Sequence, residues 1–378
     1  MKAVIAGYAR SPFHFARKGA LAEVRPDDLA AQVVKGLLAR TDLDPSLLED
    51  VILGCAYPEA AQGNNMARIV GLLSGLPREV GGMTINRFCG SSMSAIHIAA
   101  AQIEAGIGDA YLCVGVESMS MVPQGGFNFS PNPWLREHTD AYVSMGRTAE
   151  NVAQRYEIHR PEQEELALVS HRKAAAARDG GLLRDEIIAI DTGTGANRIE
   201  DDGCIRPGTS LEALAKLPPA FDENGVVTAG TSSPLTDGAS AVLVTSDDFA
   251  QRHNLPASAR IRAVATAGCD PAVMGLGPIP ATRKALQRAG LSVEQLDVVE
   301  INEAFSSQAL ACIRDLGLNP DTVNLDGGAL ALGHPLGATG ARITGKAATL
   351  LRREKARYAL ATQCIGGGQG IATILEAL

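Results

Sequence analysis

The sequence predicts an α/β protein made of two similar halves, the first of which carries a long insertion. Three observations point there. Short apolar segments rich in β-branched residues alternate with segments of helical pattern, as in sheets covered by helices. Two strand-like segments recur at one spacing of 247 residues: Leu48-Glu49-Asp50-Val51-Ile52 resembles Leu296-Asp297-Val298-Val299, and Ala110-Tyr111-Leu112-Cys113 parallels Arg357-Tyr358-Ala359-Leu360. Each time a glycine-bearing loop opening a helix lies between them, at Cys89-Gly90-Ser91 and at His334–Gly337. The stretch Ser118–Gly238 breaks the alternation, with a Pro/Gly/Asn loop (Pro123–Pro133, then Trp134) followed by polar helices.

Taken in order, Ala3-Val4-Ile5-Ala6-Gly7 reads as the first strand and Asp27–Arg40 as the first helix. Val51–Leu53 is a short buried strand. Ser91–Ala105 is a helix, with Met93, Ile96, Ala100 and Ile103 at helical spacing, and Tyr111–Gly115 is the strand after it. Within the insertion, Pro161–Arg178 has proline at a helix start, acidic residues first, basic ones later, and Gly180-Gly181 at its close. Trp134 is expected to pack inside this insertion. Ala241–Thr245, Val298–Ile301 and Tyr358–Thr362 read as strands and Thr339–Arg353 as a helix. The expected division is residues 1–117 with about 239–258 as the first half, 118–238 as an inserted loop domain, and 259–378 as the second half.

Composition narrows the function. Glycine is 40 of 378 residues, about 11% against a usual ~7%, so tight turns and close packing are expected. No apolar run reaches the ~18–20 residues of a membrane span. Met1–Arg17 lacks a basic region followed by an apolar one, and Glu376-Ala377-Leu378 is not a Ser-Lys-Leu address; a cytoplasmic protein is expected. The net charge of −8 argues against nucleic acid as a partner. The seven cysteines are odd in number and never form Cys-x-x-Cys, which argues against a disulfide framework or a metal site.

Four residues stand where chemistry collects. Cys89 sits at the start of the Ser91 helix, where unpaired N–H groups and the positive end of the dipole favour a thiolate and a lowered pKa, and where the same N–H groups suit an oxyanion. A small buried cysteine is the competing reading. His334, between glycines in Gly333-His334-Pro335-Leu336-Gly337, is placed to serve a cysteine as base; a structural histidine is the alternative. Cys364 follows the Tyr358–Thr362 strand and precedes Ile365-Gly366-Gly367-Gly368-Gln369-Gly370, and its thiol suits proton exchange. That glycine run is no dinucleotide loop, because too little chain follows it for a βαβ unit; close approach to a ligand is the preferred reading. Asn302, in Glu300-Ile301-Asn302-Glu303-Ala304-Phe305, is either an oxyanion donor or a helix cap.

At Asn86-Arg87-Phe88-Cys89-Gly90-Ser91-Ser92, Asn302-Glu303-Ala304-Phe305, Gly333–Gly337 and Cys364–Gly370 the chain closely resembles the thiolase family, in order and at fitting spacing. Gly115–Ser120, Met145–Asn151 and Thr228–Ser233 match as well, so the resemblance runs from about Ala3 to Ile374. It implies a five-layer αβαβα fold of two halves with an inserted loop domain. It also implies that Cys89 accepts the acyl group, His334 deprotonates it and Cys364 is the second acid/base. Asn302 (through a water) with His334 would form one oxyanion hole, and the N–H groups of Cys89 and Gly366 the other. Met145, Ser233, Met274 and Phe305 would line the pantetheine site, and Arg206 would lie near the nucleotide of coenzyme A.

By this resemblance the chain is an acyltransferase that cleaves 3-ketoacyl-CoA with CoA, which is a substrate, with no tightly bound cofactor. Ser144, where biosynthetic members carry histidine, and Asn128–Trp134 point to degradative members acting in fatty-acid breakdown by beta-oxidation. The alternative is a biosynthetic acetoacetyl-CoA thiolase condensing two acetyl-CoA. Cys364 argues against a decarboxylating ketoacyl synthase, and the presence of Cys89, His334 and Cys364 together argues against a non-catalytic relative. Gln62–Arg68 resembles a dimer-interface segment, implying a homodimer or a homotetramer that is a dimer of dimers. Association with other beta-oxidation enzymes is a further implication.

Overall fold

The computed structural model of the chain describes residues 2–193 and 198–378. Nine main strands form its sheet: β1 (Ala3–Arg10), β2 (Asp50–Gly54), β3 (Gly81–Ile85), β4 (Ala110–Ser118), β5 (Thr236–Ser246), β6 (Ala259–Gly268), β7 (Val298–Ile301), β8 (Tyr358–Ile365) and β9 (Gln369–Ala377). They lie in the order β7-β8-β9-β6-β1-β5-β4-β2-β3, and the short strand His14–Phe15 joins beside β5 to make ten. The centre is a brief antiparallel junction, Val4 opposite Arg260 and Ile5 opposite Ala259. Outward from it both halves repeat one scheme. Two antiparallel pairings (β1–β5 and β5–β4; β6–β9 and β9–β8) are followed by a parallel one (β4–β2; β8–β7). The match extends one step further, since β2 pairs parallel with β3 and Val299 makes the corresponding parallel bridge to Val323. The spacing repeat in the sequence is therefore the relation of β2 to β7 and of β4 to β8.

Among the described residues the helices of eight residues or more are α1 (Pro26–Thr41), α2 (Met66–Leu73), α3 (Ser91–Glu104), α4 (Met145–Arg155), α5 (Arg160–Asp179), α6 (Pro278–Ala289), α7 (Ser306–Leu316) and α8 (Leu336–Arg353). Strand alternation assigns the layers, because successive side chains leave a strand on opposite faces. Along β4, Ala110, Leu112, Val114 and Val116 pack into a core with α1 and α2. Tyr111 and Cys113 turn the other way, into a core shared with α3 and α8. Along β8, Ala359, Ala361 and Ile365 enter that same middle core, while Tyr358 and Leu360 pack with α6 and α7. Two helices thus lie between two half-sheets and two more pairs lie outside, a five-layer αβαβα arrangement. Strands buried on both faces are mostly apolar, as are the fully buried β4, β5 and β8, whose few polar residues lie chiefly toward the ends that face the site.

The expected strands and helices fall inside observed elements, except that Ser91–Ala105 overruns α3 by its last residue, the C-cap Ala105. β6 and β9 lie outside the strands the apolar pattern picks out. β6 alternates arginines with apolar residues and is only half buried, and β9 starts inside the glycine run. That run is chiefly a hairpin turn: Gly367 and Gly368 have φ of +79° and +83° between β8 and β9. A Cβ on Gly370 would stand 1.8 Å from the Gly277 carbonyl oxygen, so this glycine serves backbone packing rather than a ligand.

The insertion leaves the sheet after β4 and returns at β5. A buried ionic chain fastens it: the Arg10 guanidinium pairs with Glu186 at 2.7 Å and grips both oxygens of Asp202 at 2.7 and 2.8 Å. Lys346 of α8 bonds Glu186 at 2.9 Å and pairs with Asp326 at 2.6 Å. Burial alone would raise the Glu186 carboxyl, but the Lys346 and Arg10 charges outweigh it and hold it at about 2. Trp134 does not pack into the insertion as expected. It is 61% exposed and stacks on His138.

The middle layer is tightest where α8 begins. A Cβ on Gly115 of β4 would lie 2.3 Å from the Gly337 oxygen and 2.7 Å from the Ala338 Cα, both backbone atoms. Gly115→Ala is therefore expected to lower stability by about 1–3 kcal/mol in urea unfolding. Gly208→Ala, whose Cβ would meet nothing within 4 Å, is expected to be neutral or slightly stabilising.

Candidate active site

Cys89 stands where β3 turns into α3. Asn86 shapes the turn, its Nδ2 donating to the Ala56 carbonyl at 2.9 Å and its Oδ1 accepting from the Phe88 N–H at 2.8 Å. Phe88 adopts φ +44°, a left-handed conformation that bulky residues avoid. Ser91 then accepts the Arg87 N–H and donates to the Phe88 carbonyl, closing the turn into the helix. Cys89 is partly buried. The N–H groups of Gly366 and of Cys89 itself are turned so as to favour charge on its sulfur, and its carbonyl accepts from the Gln363 amide. The expected lowering of this thiol's pKa does not hold. Burial pushes it up to about 12, and the Gly366 N–H pulls back only part of the way. At pH 7 the resting thiol is neutral and needs a base.

His334 is buried on the loop before α8. Its Nδ1 lies 2.6 Å from Thr339 Oγ1 and its Nε2 3.3 Å from Asn302 Nδ2. Its own N–H donates to Thr236 Oγ1 at 3.1 Å. Burial, with the Arg342 charge behind it, lowers its pKa to about 3, so the imidazole is neutral at pH 7. Asn302 is no helix cap: α7 begins at Ser306 with Phe305 before it. The Asn302 Oδ1 is buried without a partner among the described residues.

Cys364 lies within β8, one residue before its end, rather than after the strand. It packs with Ala149, Val227, Met274, Ala304 and Phe305, and Met145 closes the same cluster. Burial raises its thiol well above the ordinary value, and the neighbouring Cys89 raises it further. Gln363, the residue before Cys364, bonds the Cys89 carbonyl and so ties the two cysteine-bearing segments together. Met145 also approaches Gly366, its sulfur 3.6 Å from where a Cβ would stand. Ser233 sits beside this cluster, its N–H donating to the Ala304 carbonyl at 3.0 Å.

The structure therefore gathers Cys89 with Gly366, His334 with Asn302, and Cys364 with Met145, Met274 and Phe305. Arg206 stands apart from these contacts. It is exposed, its guanidinium lies over the Phe15 ring at 5.0 Å, and its N–H meets His171. Three residues that the sequence reading does not single out complete the frame. Glu117, fully buried in β4, accepts the N–H groups of Ala56, Tyr57 and Gly337 and the Gln62 amide. It thereby joins the loop after β2 to the start of α8. Gln363 ties β8 to the Cys89 carbonyl, and Thr339 holds His334. A charged or amide residue inside an apolar strand was the available signal for the first two. Among the described residues no His/Cys/Asp/Glu cluster is arranged to hold a metal ion, and no helix is long and apolar enough to cross a membrane.

Two cysteines and a histidine carried on adjoining elements where like α/β halves meet define the class, a five-layer αβαβα protein with two cysteines at its centre: Cys89 packs on the cluster holding Leu336 of α8, and the residue before Cys364 bonds the Cys89 carbonyl. The chain belongs to the thiolase family, matching the thiolase N-terminal domain over residues 3–248 and the thiolase C-terminal domain over 255–377. It is 48% identical to the 3-ketoacyl-CoA thiolase of Shewanella loihica over 99% of each chain. It is 49% identical to that of Shewanella denitrificans, again over 99% of each. The structure of human mitochondrial 3-ketoacyl-CoA thiolase superposes with a TM-score of 0.92 at 39% identity, covering 99% of this chain and 98% of that one. The same human enzyme in complex with CoA gives 0.91 at 39% identity, covering 100% and 98%.

A neutral thiol served by a neutral base has a testable reactivity. At pH 7, iodoacetamide is expected to modify Cys89 at least about tenfold more slowly in His334→Gln than in the wild type, the deficit closing at alkaline pH. Peptide mapping separates Cys89 from Cys269, the other partly buried thiol. Equal rates in the two proteins at pH 7 would contradict the assignment.

Proposed function

We propose that the chain cleaves 3-ketoacyl-CoA with CoA, giving acetyl-CoA and an acyl-CoA shortened by one acetyl unit. The observation that carries this reading is the placement of two cysteines on adjoining elements: Gln363, the residue before Cys364 in β8, donates its amide to the Cys89 carbonyl. One thiol would suffice for simple acyl transfer; carbon–carbon cleavage also needs an acid for the departing carbanion.

His334 removes the Cys89 proton as the sulfur attacks the 3-keto carbon. The carbonyl oxygen gains charge and is held by the imidazolium formed on His334 and by Asn302 through a water. The carbon–carbon bond breaks, its electron pair leaves on the acetyl-CoA enolate, and Cys364 donates its proton to that carbon. Cys364, now a thiolate, takes the proton of an incoming CoA thiol. That thiolate attacks the acyl-Cys89 thioester, whose oxyanion is met by the N–H groups of Cys89 and Gly366, and the Cys89 thiolate departs to recover its proton. Both thiols sit high and the imidazole low, so no thiolate–imidazolium pair rests in the free enzyme. Charge appears only as substrate reacts, where preorganised N–H groups stabilise it best.

Met145, Met274, Phe305 and Ser233 are proposed to line the pantetheine arm, and Arg206 to meet the CoA phosphates. CoA is then a substrate and no other cofactor is proposed. We further propose a cytoplasmic enzyme assembled as a homodimer or a dimer of dimers, with the domain division given by the insertion limits. Support for the degradative reaction over acetyl-CoA condensation comes from the names of the relatives and from Ser144 at the position where biosynthetic members resemble one another in carrying histidine.

Acetoacetyl-CoA consumption with added CoA tests the reading. Cys89→Ala is expected to lose at least about 10³-fold in kcat. A kcat/KM that rises from acetoacetyl-CoA to longer 3-ketoacyl-CoA substrates is expected for the degradative enzyme. Full activity in Cys89→Ala would overturn the mechanism, and efficient action on acetoacetyl-CoA alone would favour the biosynthetic alternative.

A further inference from the structure

We infer that Thr339 is a positioning residue that fixes His334 in the tautomer with hydrogen on Nδ1 and the lone pair on Nε2, the nitrogen facing Asn302. The inference rests on the thiolytic reading above, in which Nε2 is the atom that takes the Cys89 proton.

Thr339 lies in the first turn of α8, fully buried, five residues after His334. Its Oγ1 is 2.6 Å from His334 Nδ1 and 3.1 Å from the Pro335 carbonyl oxygen. A helical threonine hydroxyl characteristically donates to the carbonyl four residues back. With its one hydrogen directed to Pro335, the oxygen offers only lone pairs to His334, so Nδ1 must be the ring nitrogen that carries hydrogen. A neutral imidazole has one N–H, and Nε2 is therefore bare. The other side of the ring agrees, because Asn302 presents the Nδ2 donor to Nε2. At 3.3 Å that contact is long, and a thiol hydrogen can replace it.

The choice of a hydroxyl has a chemical consequence. In Ser-His-Asp triads a carboxylate holds the histidine and stabilises its imidazolium. Here the orienting group is neutral, and the Arg342 charge opposes a second positive charge nearby. His334 is held in the accepting tautomer but does not keep a proton. It takes one as negative charge develops on the substrate oxygen and gives it back within the same cycle.

The test compares Thr339→Val, which removes the hydroxyl at nearly constant volume, with Thr339→Ser, which keeps it. The readouts are steady-state cleavage of acetoacetyl-CoA and nitrogen-15 NMR of the full chain labelled at histidine, with the His334 signals identified by their loss in His334→Gln. The wild type and Thr339→Ser are expected to show a bare Nε2 and similar kcat. Thr339→Val is expected to lose about 10²-fold in kcat with KM for CoA unchanged, and to show hydrogen moving to Nε2. A wild-type His334 protonated at Nε2 overturns the inference, and so does a Thr339→Val enzyme with wild-type kcat and tautomer, or a Thr339→Ser enzyme as impaired as Thr339→Val. The wild-type spectrum decides alone if Thr339→Val does not fold. A wild type that fails to cleave acetoacetyl-CoA while showing a bare Nε2 sinks the thiolytic reading separately.

Discussion

Two helix N-termini, those of α3 and α8, are pressed against the backbone of β2, β4 and one another with no side chain between. A Cβ on Gly54 would stand 2.3 Å from the Ser92 nitrogen, one on Gly337 2.8 Å from the Gly54 oxygen, and one on Gly340 2.3 Å from the Met93 nitrogen. The loop ahead of α3 carries Cys89 and the loop ahead of α8 carries His334. Close contact of the helix ends is what brings a residue from each half of the chain to one place. Glu117 adds a polar clamp at the same point by accepting the Gly337 N–H together with those of Ala56 and Tyr57. Glycine is thus enriched where two backbones must share the space that a methyl group would occupy.

The electrostatics follow from that burial. Taking the site out of water raises both thiols and lowers the imidazole. The helix end and the paired N–H groups at Cys89 work against this but do not reverse it. The same groups gain their full effect when charge moves onto the substrate oxygen, because an enclosed site stabilises a developing anion more than solvent does. Neutral resting groups and fixed N–H donors therefore belong to one design, in which reactivity is produced by substrate rather than stored in the free enzyme.

Much of this was legible in the sequence. β4, β8 and the α3 and α8 helices follow from apolar patterning, and the two-half construction from one repeated spacing. Cys89, His334, Cys364 and Asn302 were visible as chemistry-bearing residues at strand ends and loop–helix junctions. β6 and β9 escaped because arginines and glycines weaken a strand pattern that pairing then imposes. The Cys89 pKa was misjudged because a sequence shows the helix end but not how deeply the thiol is buried. Gln363 and Thr339 act through partners far away in the chain or across a turn, at distances that only the folded backbone sets. The five-residue separation of His334 and Thr339 carries no meaning until the Gly333–Gly337 loop is seen to fold the ring back over the first turn of α8.

The central claim is that Cys89 carries the acyl group between two half-reactions. Rapid mixing of the wild-type enzyme with acetoacetyl-CoA in the absence of free CoA, followed by acid quench and peptide mass mapping, tests it most directly. One acetyl group per chain is expected on the peptide containing Cys89, with acetyl-CoA released in equal amount, and the label is expected to be lost when CoA is added before the quench. Acetyl found on Cys364, or turnover with no acetyl on either cysteine, would contradict it.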